Sequence, residues 1–238
     1  LDFHYYGFRS PKILDNINIL IPFGKTTAIV GESGSGKTTL MKLLLKFYSP
    51  SKGSIYYSNF SIDEISAKDL RKNCGVVMQD GYIFSDTLER NIASTSEAID
   101  INKLEQATKI ANLRDFVDNL PQGYKTMLGS GGNGISGGQK QRILIARAVY
   151  KNPKFIFFDE ATSSLDSENE KIIYDNLDLF FKGKTVIKIA HRLSTVKNAD
   201  QIIVIKKGKI IELGNHTELI SKRGEYFNLV KNQLELSS

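Results

Sequence analysis

Gly31, Gly36, Lys37 and Thr38 stand in the run TAIVGESGSGKTT, residues 27–39, at the spacing G-x-x-x-x-G-K-T behind a short apolar segment. This is the Walker A pattern. Its glycines let the backbone turn so that successive N–H groups face one anion. The stretch Gly31, Glu32, Ser33, Gly34, Ser35, Gly36, Lys37, Thr38 and Thr39 is therefore the candidate phosphate cradle. Lys37 is expected to reach the β and γ phosphates as a point charge, and the Thr38 hydroxyl to take one position on Mg²⁺. Further along, Asp159 and Glu160 close the apolar run FIFFDE at 155–160. Two adjacent acids ending a strand buried on both faces are costly without a cation or a partner group. Asp159 is accordingly the candidate metal ligand, and Glu160 the candidate general base that polarises an attacking water.

A third segment, GISGGQKQR at 134–142, sets Ser136, Gly137, Gly138 and Gln139 at the start of a helix. A serine and two glycines there offer close backbone approach, several N–H donors and a helix dipole to a phosphate. The chain thus carries two devices for one anion. His191 follows the apolar run TVIKIA at 185–190 and is expected at the C-terminal end of a strand, the edge at which open parallel sheets bind ligands.

Read together, these segments closely resemble the nucleotide-binding domain of an ABC transporter, and the resemblance covers nearly the whole chain. It implies ATP as the nucleotide, with Mg²⁺. It also implies that Gln79, in VVMQD, is the Gln-loop residue contacting Mg²⁺ and the attacking water. Ser136 to Gln139 match the signature, with Ile135 where the family usually has Leu, and Ser163, Ser164, Leu165 and Asp166 match the D-loop, Asp166 being counted with the nucleotide-binding set. His191 matches the switch histidine that contacts the γ-phosphate. For the aromatic that stacks on adenine, Tyr5 is favoured because FHY at 3–5 resembles the family's F-x-Y, while Tyr6 is closer to Leu14 in sequence. The two anion devices are reconciled by a signature that acts in trans, on ATP held by the opposite subunit. A head-to-tail homodimer with two sandwiched ATP molecules is implied.

The implied fold is α/β: a P-loop NTPase core with a mostly parallel sheet, an N-terminal antiparallel β subdomain and an inserted α-helical subdomain. The whole chain, 1–238, reads as one ABC ATP-binding domain, with 1–83 and 151–238 as the nucleotide-binding core and 84–150 as the helical signature subdomain. Leu40, Leu43, Leu44 and Phe47 repeat at i, i+3, i+4, i+7 and predict the buried face of the helix after the phosphate loop. Residues 1–26 read as short strands, with turns at Ser10-Pro11 and Pro22-Phe23-Gly24. Helices are predicted over Ile101 to Leu120, Gln139 to Tyr150, Glu168 to Phe181 and His216 to Leu234, the third opened by a capping box, Ser167-x-x-Glu170. QIIVI and KIIEL flank Lys206-Lys207-Gly208 as a hairpin.

At 238 residues and 41% hydrophobic, the chain is long enough to bury a full core. Its +6 charge is concentrated between Lys182 and Lys209, where Asp200 is the one acid. Such an excess suggests nucleic acid, but no zinc pattern, RNP motif or heptad run accompanies it. A solvated basic face beside an anionic membrane is preferred, with no nucleic-acid partner. Cys74 stands alone, which excludes an internal disulfide.

No run approaches the ~20 apolar residues of a membrane span, and the first residue is Leu rather than Met. The chain is expected to be the C-terminal part of a longer polypeptide whose transmembrane domain is fused N-terminally, placing it on the cytoplasmic face of a bacterial inner membrane. QDGYIFSDTLERNIA at 79–93 looks like the exporter form of the segment after the Gln-loop, and GGNGISGGQ like exporters of bacteriocins and other peptides. Ser130 takes the place of the Glu usual in the exporters' G-E-x-G stretch. An importer subunit, and a soluble ABC ATPase acting on nucleic acid or ribosomes, are the rival readings.

Overall fold

The computed structural model describes residues 1–7, 10–78, 81–95, 98–129, 134–159, 165, 167–190 and 193–235, the side chains of 167, 193, 194 and 233–235 excepted. Its architecture is α/β. In chain order the elements are β1 (Thr26–Val30), α1 (Lys37–Leu44), β2 (Tyr56–Tyr57), β3 (Phe60–Ser61), α2 (Ala67–Asn73), β4 (Cys74–Val77), α3 (Leu88–Ala93), α4 (Ile101–Ile110), α5 (Arg114–Asp118), α6 (Gly137–Tyr150), β5 (Phe155–Asp159), α7 (Ser167–Phe181), β6 (Thr185–Ile189), α8 (Leu193–Val196), β7 (Gln201–Lys206), β8 (Lys209–Gly214), α9 (His216–Lys222) and α10 (Glu225–Glu235). They fall into two compact units, Leu1–Cys74 with Gly183–Ser238, and Gly75–Lys182.

In the first unit β1 pairs in parallel with β6, Thr26 opposite Val186, and with β7, Thr27 opposite Gln201. Thr27 to Val30 are all buried, so both faces of β1 are covered, as is usual for a parallel strand. β8 returns antiparallel to β7 through the Lys207-Gly208 turn, where both residues have positive φ, 49° and 76°. That is the backbone of a tight primed hairpin turn. Ala28, Val30, Ile202 and Val204 on this sheet pack with Leu219 of α9 and Tyr226 and Val230 of α10. Among the described residues before β1 there are isolated antiparallel bridges, Phe3 with Leu14 and Asp2 with Lys52, rather than the expected run of strands, and β2 and β3 make a separate antiparallel pair.

The predicted face of α1 is shorter than its apolar spacing suggests. Leu40 and Leu43 are buried with Met41, Leu44 is half-buried, and Phe47 is 56% exposed. The helix stops at Leu44 because Lys46 turns left-handed, φ 57°, and Phe47 leaves the helical face. Two other predicted helices break for the same reason. Asn112, φ 51°, separates α4 from α5, and Arg223, φ 52°, separates α9 from α10. Asn visits this region at little cost. The second break is fixed from outside: the Glu212 carboxylate of β8 accepts from the N–H groups of Glu225 and Tyr226 at 3.0 and 2.8 Å and caps α10.

In the second unit α6 presents Ile143, Leu144, Ile145, Ala148 and Val149 to the interior, against α3 and α4. It begins at Gly137, two residues before the expected start. α7 begins at Ser167, whose side chain, and with it the predicted capping box, lies outside the described residues. No helix among the described residues is long and apolar enough to cross a membrane.

Candidate functional site

The phosphate loop connects β1 to α1 through a backbone that only glycine accommodates at its two ends. Gly31 and Gly36 have φ of 146° and 108°, a Cβ on Gly31 would lie 2.1 Å from the Ile205 carbonyl oxygen, and one on Gly36 2.7 Å from Leu14 Cδ2. Within the loop the Ser35 N–H donates to the Glu32 carbonyl at 3.2 Å. The Lys37 ammonium, on a residue 5% exposed, donates to the carbonyls of Gly31 and Glu32, both at 2.8 Å. It therefore lies folded back over the loop. Gly36 caps α1 without a side chain, and no acid stands in the first turn. The positive end of the helix dipole is left for an anion.

A nucleotide phosphate fits this cradle. Ser35 Oγ is buried without a hydrogen-bond partner among the described residues. A buried hydroxyl in that state carries a penalty that an anion acceptor relieves. Glu32, Ser33 and Gly34 form the exposed rim, and Thr38 is half-buried in the first turn of α1.

Tyr5 is joined to the same helical turn. Its hydroxyl is 3.0 Å from Thr39 Oγ1, and its ring stands edge-on to Phe3 at 5.0 Å and Tyr48 at 5.3 Å. Tyr5 is 38% exposed, whereas Tyr6 is 91% exposed. A ring held by its edges and hydroxyl while still accessible is suited to stacking. Tyr6 has no comparable mooring among the described contacts.

The second unit carries two further candidates. Asp159 ends β5 and is 5% exposed. Ser136 caps α6 in a full capping box: its Oγ accepts from the Gln139 N–H at 3.1 Å, and Gln139 Oε1 accepts from the Ser136 N–H at 2.8 Å. No acid stands in the first turn of α6 either, so Gly137 and Gly138 open a second helix N-terminus suited to negative charge. Thr38 in the first unit and Asp159 in the second each carry a hard oxygen donor of the kind Mg²⁺ takes. Gln79, Glu160, Asp166 and His191 lie outside the described residues, as do Ser130, Ser163 and Ser164.

Sequence reasoning did not reach the polar hub of the second unit. Asn91 is fully buried in α3; its Oδ1 accepts from the Phe84 N–H at 2.8 Å, and its Nδ2 donates to the carbonyls of Phe84, Asp86 and Thr87 at 3.0 to 3.2 Å. Arg147 of α6 then grips this segment, with Nε 2.7 Å from the Asn91 carbonyl, Nη1 2.9 Å from that of Tyr82, and its guanidinium over the Phe84 ring. Burial pulls Arg147 down to about 10, still charged at neutral pH. A polar residue on an otherwise apolar face, between Leu88 and Ile92, was the available signal.

Comparison with known proteins agrees with this geometry. The model of the ABC transporter family matches residues 14–163. The alpha-hemolysin translocation ATP-binding protein HlyB of Escherichia coli is 49% identical over 217 residues, covering 91% of this chain and 31% of that protein. The ATP-dependent lipid A-core flippase of Saccharophagus degradans is 45% identical over 232 residues, 98% of this chain and 40% of that protein. Among solved structures, a bacterial Atm1-family ABC exporter with ATP bound superposes with a TM-score of 0.90 at 38% identity, covering 96% of this chain and 40% of that one. The chain therefore spans well under half the length of the relatives it matches.

Proposed function

The chain belongs to the ABC transporter family, and from that premise we propose that it is the ATP-binding and ATP-hydrolysing domain of an exporter, one that moves a peptide, bacteriocin or lipid across a bacterial membrane. The observation that carries this reading is the phosphate loop: a buried lysine folded over a glycine-bounded turn that ends in an uncapped helix. The relatives named for hemolysin translocation and for lipid flipping support export over import. The membrane-spanning part is assigned to an N-terminally fused segment, which puts the domain on the cytoplasmic face of the inner membrane.

In this reading Lys37 and the amides of the loop offset the repulsion among the phosphates of ATP, and Tyr5 stacks on adenine. Thr38, Asp159 and Gln79 would hold Mg²⁺, which would supply neutralisation of phosphate charge. Glu160 orients a water in line with the γ-phosphate, with His191 and Gln79 holding its surroundings. Ser136, Gly137, Gly138 and Gln139, together with Asp166, act on the nucleotide of a second copy of the domain. Nucleotide binding closes the homodimer and hydrolysis reopens it. Glu160→Gln is expected to bind ATP normally, lose at least ~10²-fold in turnover and elute as a dimer with MgATP; turnover near the parent rate eliminates Glu160 as base.

A further inference from the structure

The phosphate loop is held from behind by a part of the chain more than 150 residues away in sequence. The Gly208 N–H donates to the Ser35 carbonyl at 3.0 Å, and the Gly208 carbonyl accepts from the Asp15 N–H at 2.9 Å. Lys209 adds an ion pair to Asp15 at 3.1 Å. Close packing completes the junction, because a Cβ on Gly208 would lie 2.3 Å from the Ile13 carbonyl oxygen, and Leu14 fills the space under Gly36. Residues 13–15, 35–36 and 208–209 thus form one knot beneath the loop.

That knot is fastened in turn to the C-terminal helix. Lys206, the last residue of β7, donates to both carboxylate oxygens of Glu225 at 2.8 Å. Those hydrogen bonds hold the Lys206 ammonium above its ordinary range against some desolvation, with the charges of Glu225 and of Glu32, on the loop rim, acting the same way. Glu225 opens α10, whose first amides are already fixed on Glu212 of β8.

We propose that the β7–β8 turn is a positioning element for the phosphate loop, with Gly208 setting the Ser35 carbonyl and Lys206 tying the turn to α10 through Glu225, so that the C-terminal helix sets nucleotide affinity; this rests on the reading of the loop as the nucleotide site. Ser35 precedes Lys37 by two residues, so a shift of its peptide rotates the amides that begin α1. The physical requirement is geometric: donors to phosphate act only when held in advance. Neither Gly208 nor Lys206 touches nucleotide in this account.

The test uses the 238-residue chain and begins without nucleotide. Gly208→Ala must displace the turn and is expected to speed amide exchange across residues 31–39 at least ~10-fold. Lys206→Met leaves the turn backbone free to form and is expected to speed it about two- to fivefold, in keeping with a half-exposed ion pair, with Lys206→Arg restoring the parent rate. A fluorescent ATP analogue should bind more weakly in the same order while kcat at saturation stays within about twofold. Unchanged exchange over 31–39 in both Gly208→Ala and Lys206→Met, or a fall in kcat with affinity unchanged, overturns the proposal. Should Gly208→Ala fail to fold, the Lys206 variants decide alone. Lys37→Ala is measured alongside: unaltered nucleotide affinity there refutes the nucleotide site itself, and the exchange measurement still judges the bracing independently.

Discussion

Asn91 shows how one side chain can hold a surface in place. Its amide oxygen and nitrogen meet four backbone groups between Phe84 and Thr87, and Arg147 covers the same segment. Replacing it with Leu keeps the volume but takes the acceptor from the Phe84 N–H, at about 1–3 kcal/mol if water cannot reach it, and removes a second donor from the carbonyls of Phe84, Asp86 and Thr87, each of which still accepts a backbone N–H. Asn91→Leu is therefore expected to lower stability by about 2 kcal/mol, a melting-temperature drop of roughly 4–8 °C by calorimetry; a drop under 2 °C would mean the hub is dispensable. Residues of this kind are hard to see in a sequence, since their partners are main-chain atoms that no residue type announces. Lys37, Thr38 and Asp159 could be proposed from the sequence for the opposite reason. Their chemistry depends on fixed spacing beside an apolar run, and spacing is what a sequence displays.

The α6 N-terminus carries two roles on one residue. Ser136 caps the helix, and in the proposed function it also meets phosphate. Ser136→Asp separates them, because aspartate caps as well as serine but places a negative charge where the phosphate must come. The expected result is an unchanged or slightly raised melting temperature with ATPase activity reduced at least ~10²-fold; full activity would leave Ser136 a cap and nothing more. Element existence and order were readable from apolar runs, glycines and caps, as in β1, β5 and the β7–β8 hairpin. The breaks were not. Lys46, Asn112 and Arg223 adopt left-handed backbone without glycine, so each helix that a hydrophobic period extended was cut where the local turn satisfied the last carbonyls instead.

For the whole molecule, the family's trans arrangement makes a sharp expectation about pairs. Mixed dimers of a Lys37→Ala copy and a Ser136→Asp copy concentrate both defects in one of the two shared sites and leave the other intact, so they should regain ATPase activity that neither parent has; absence of rescue would count against shared sites. The charge excess also reads differently in three dimensions. Lys25 pairs with Asp200, Lys206 with Glu225 and Lys209 with Asp15, while Lys188 is buried. Three residues of the basic run, Lys188, Lys206 and Lys209, therefore serve internal cohesion, which composition alone could not reveal. Finally, the mooring of Tyr5 bears on which fuel the machine accepts. With its hydroxyl committed to Thr39, the tyrosine can offer a base only a flat face, and every purine presents a similar π-surface to it. Discrimination by that ring should be shallow: GTP is expected to compete with ATP within about tenfold, and a preference beyond a thousandfold in a competition assay would require a reader of base edges elsewhere.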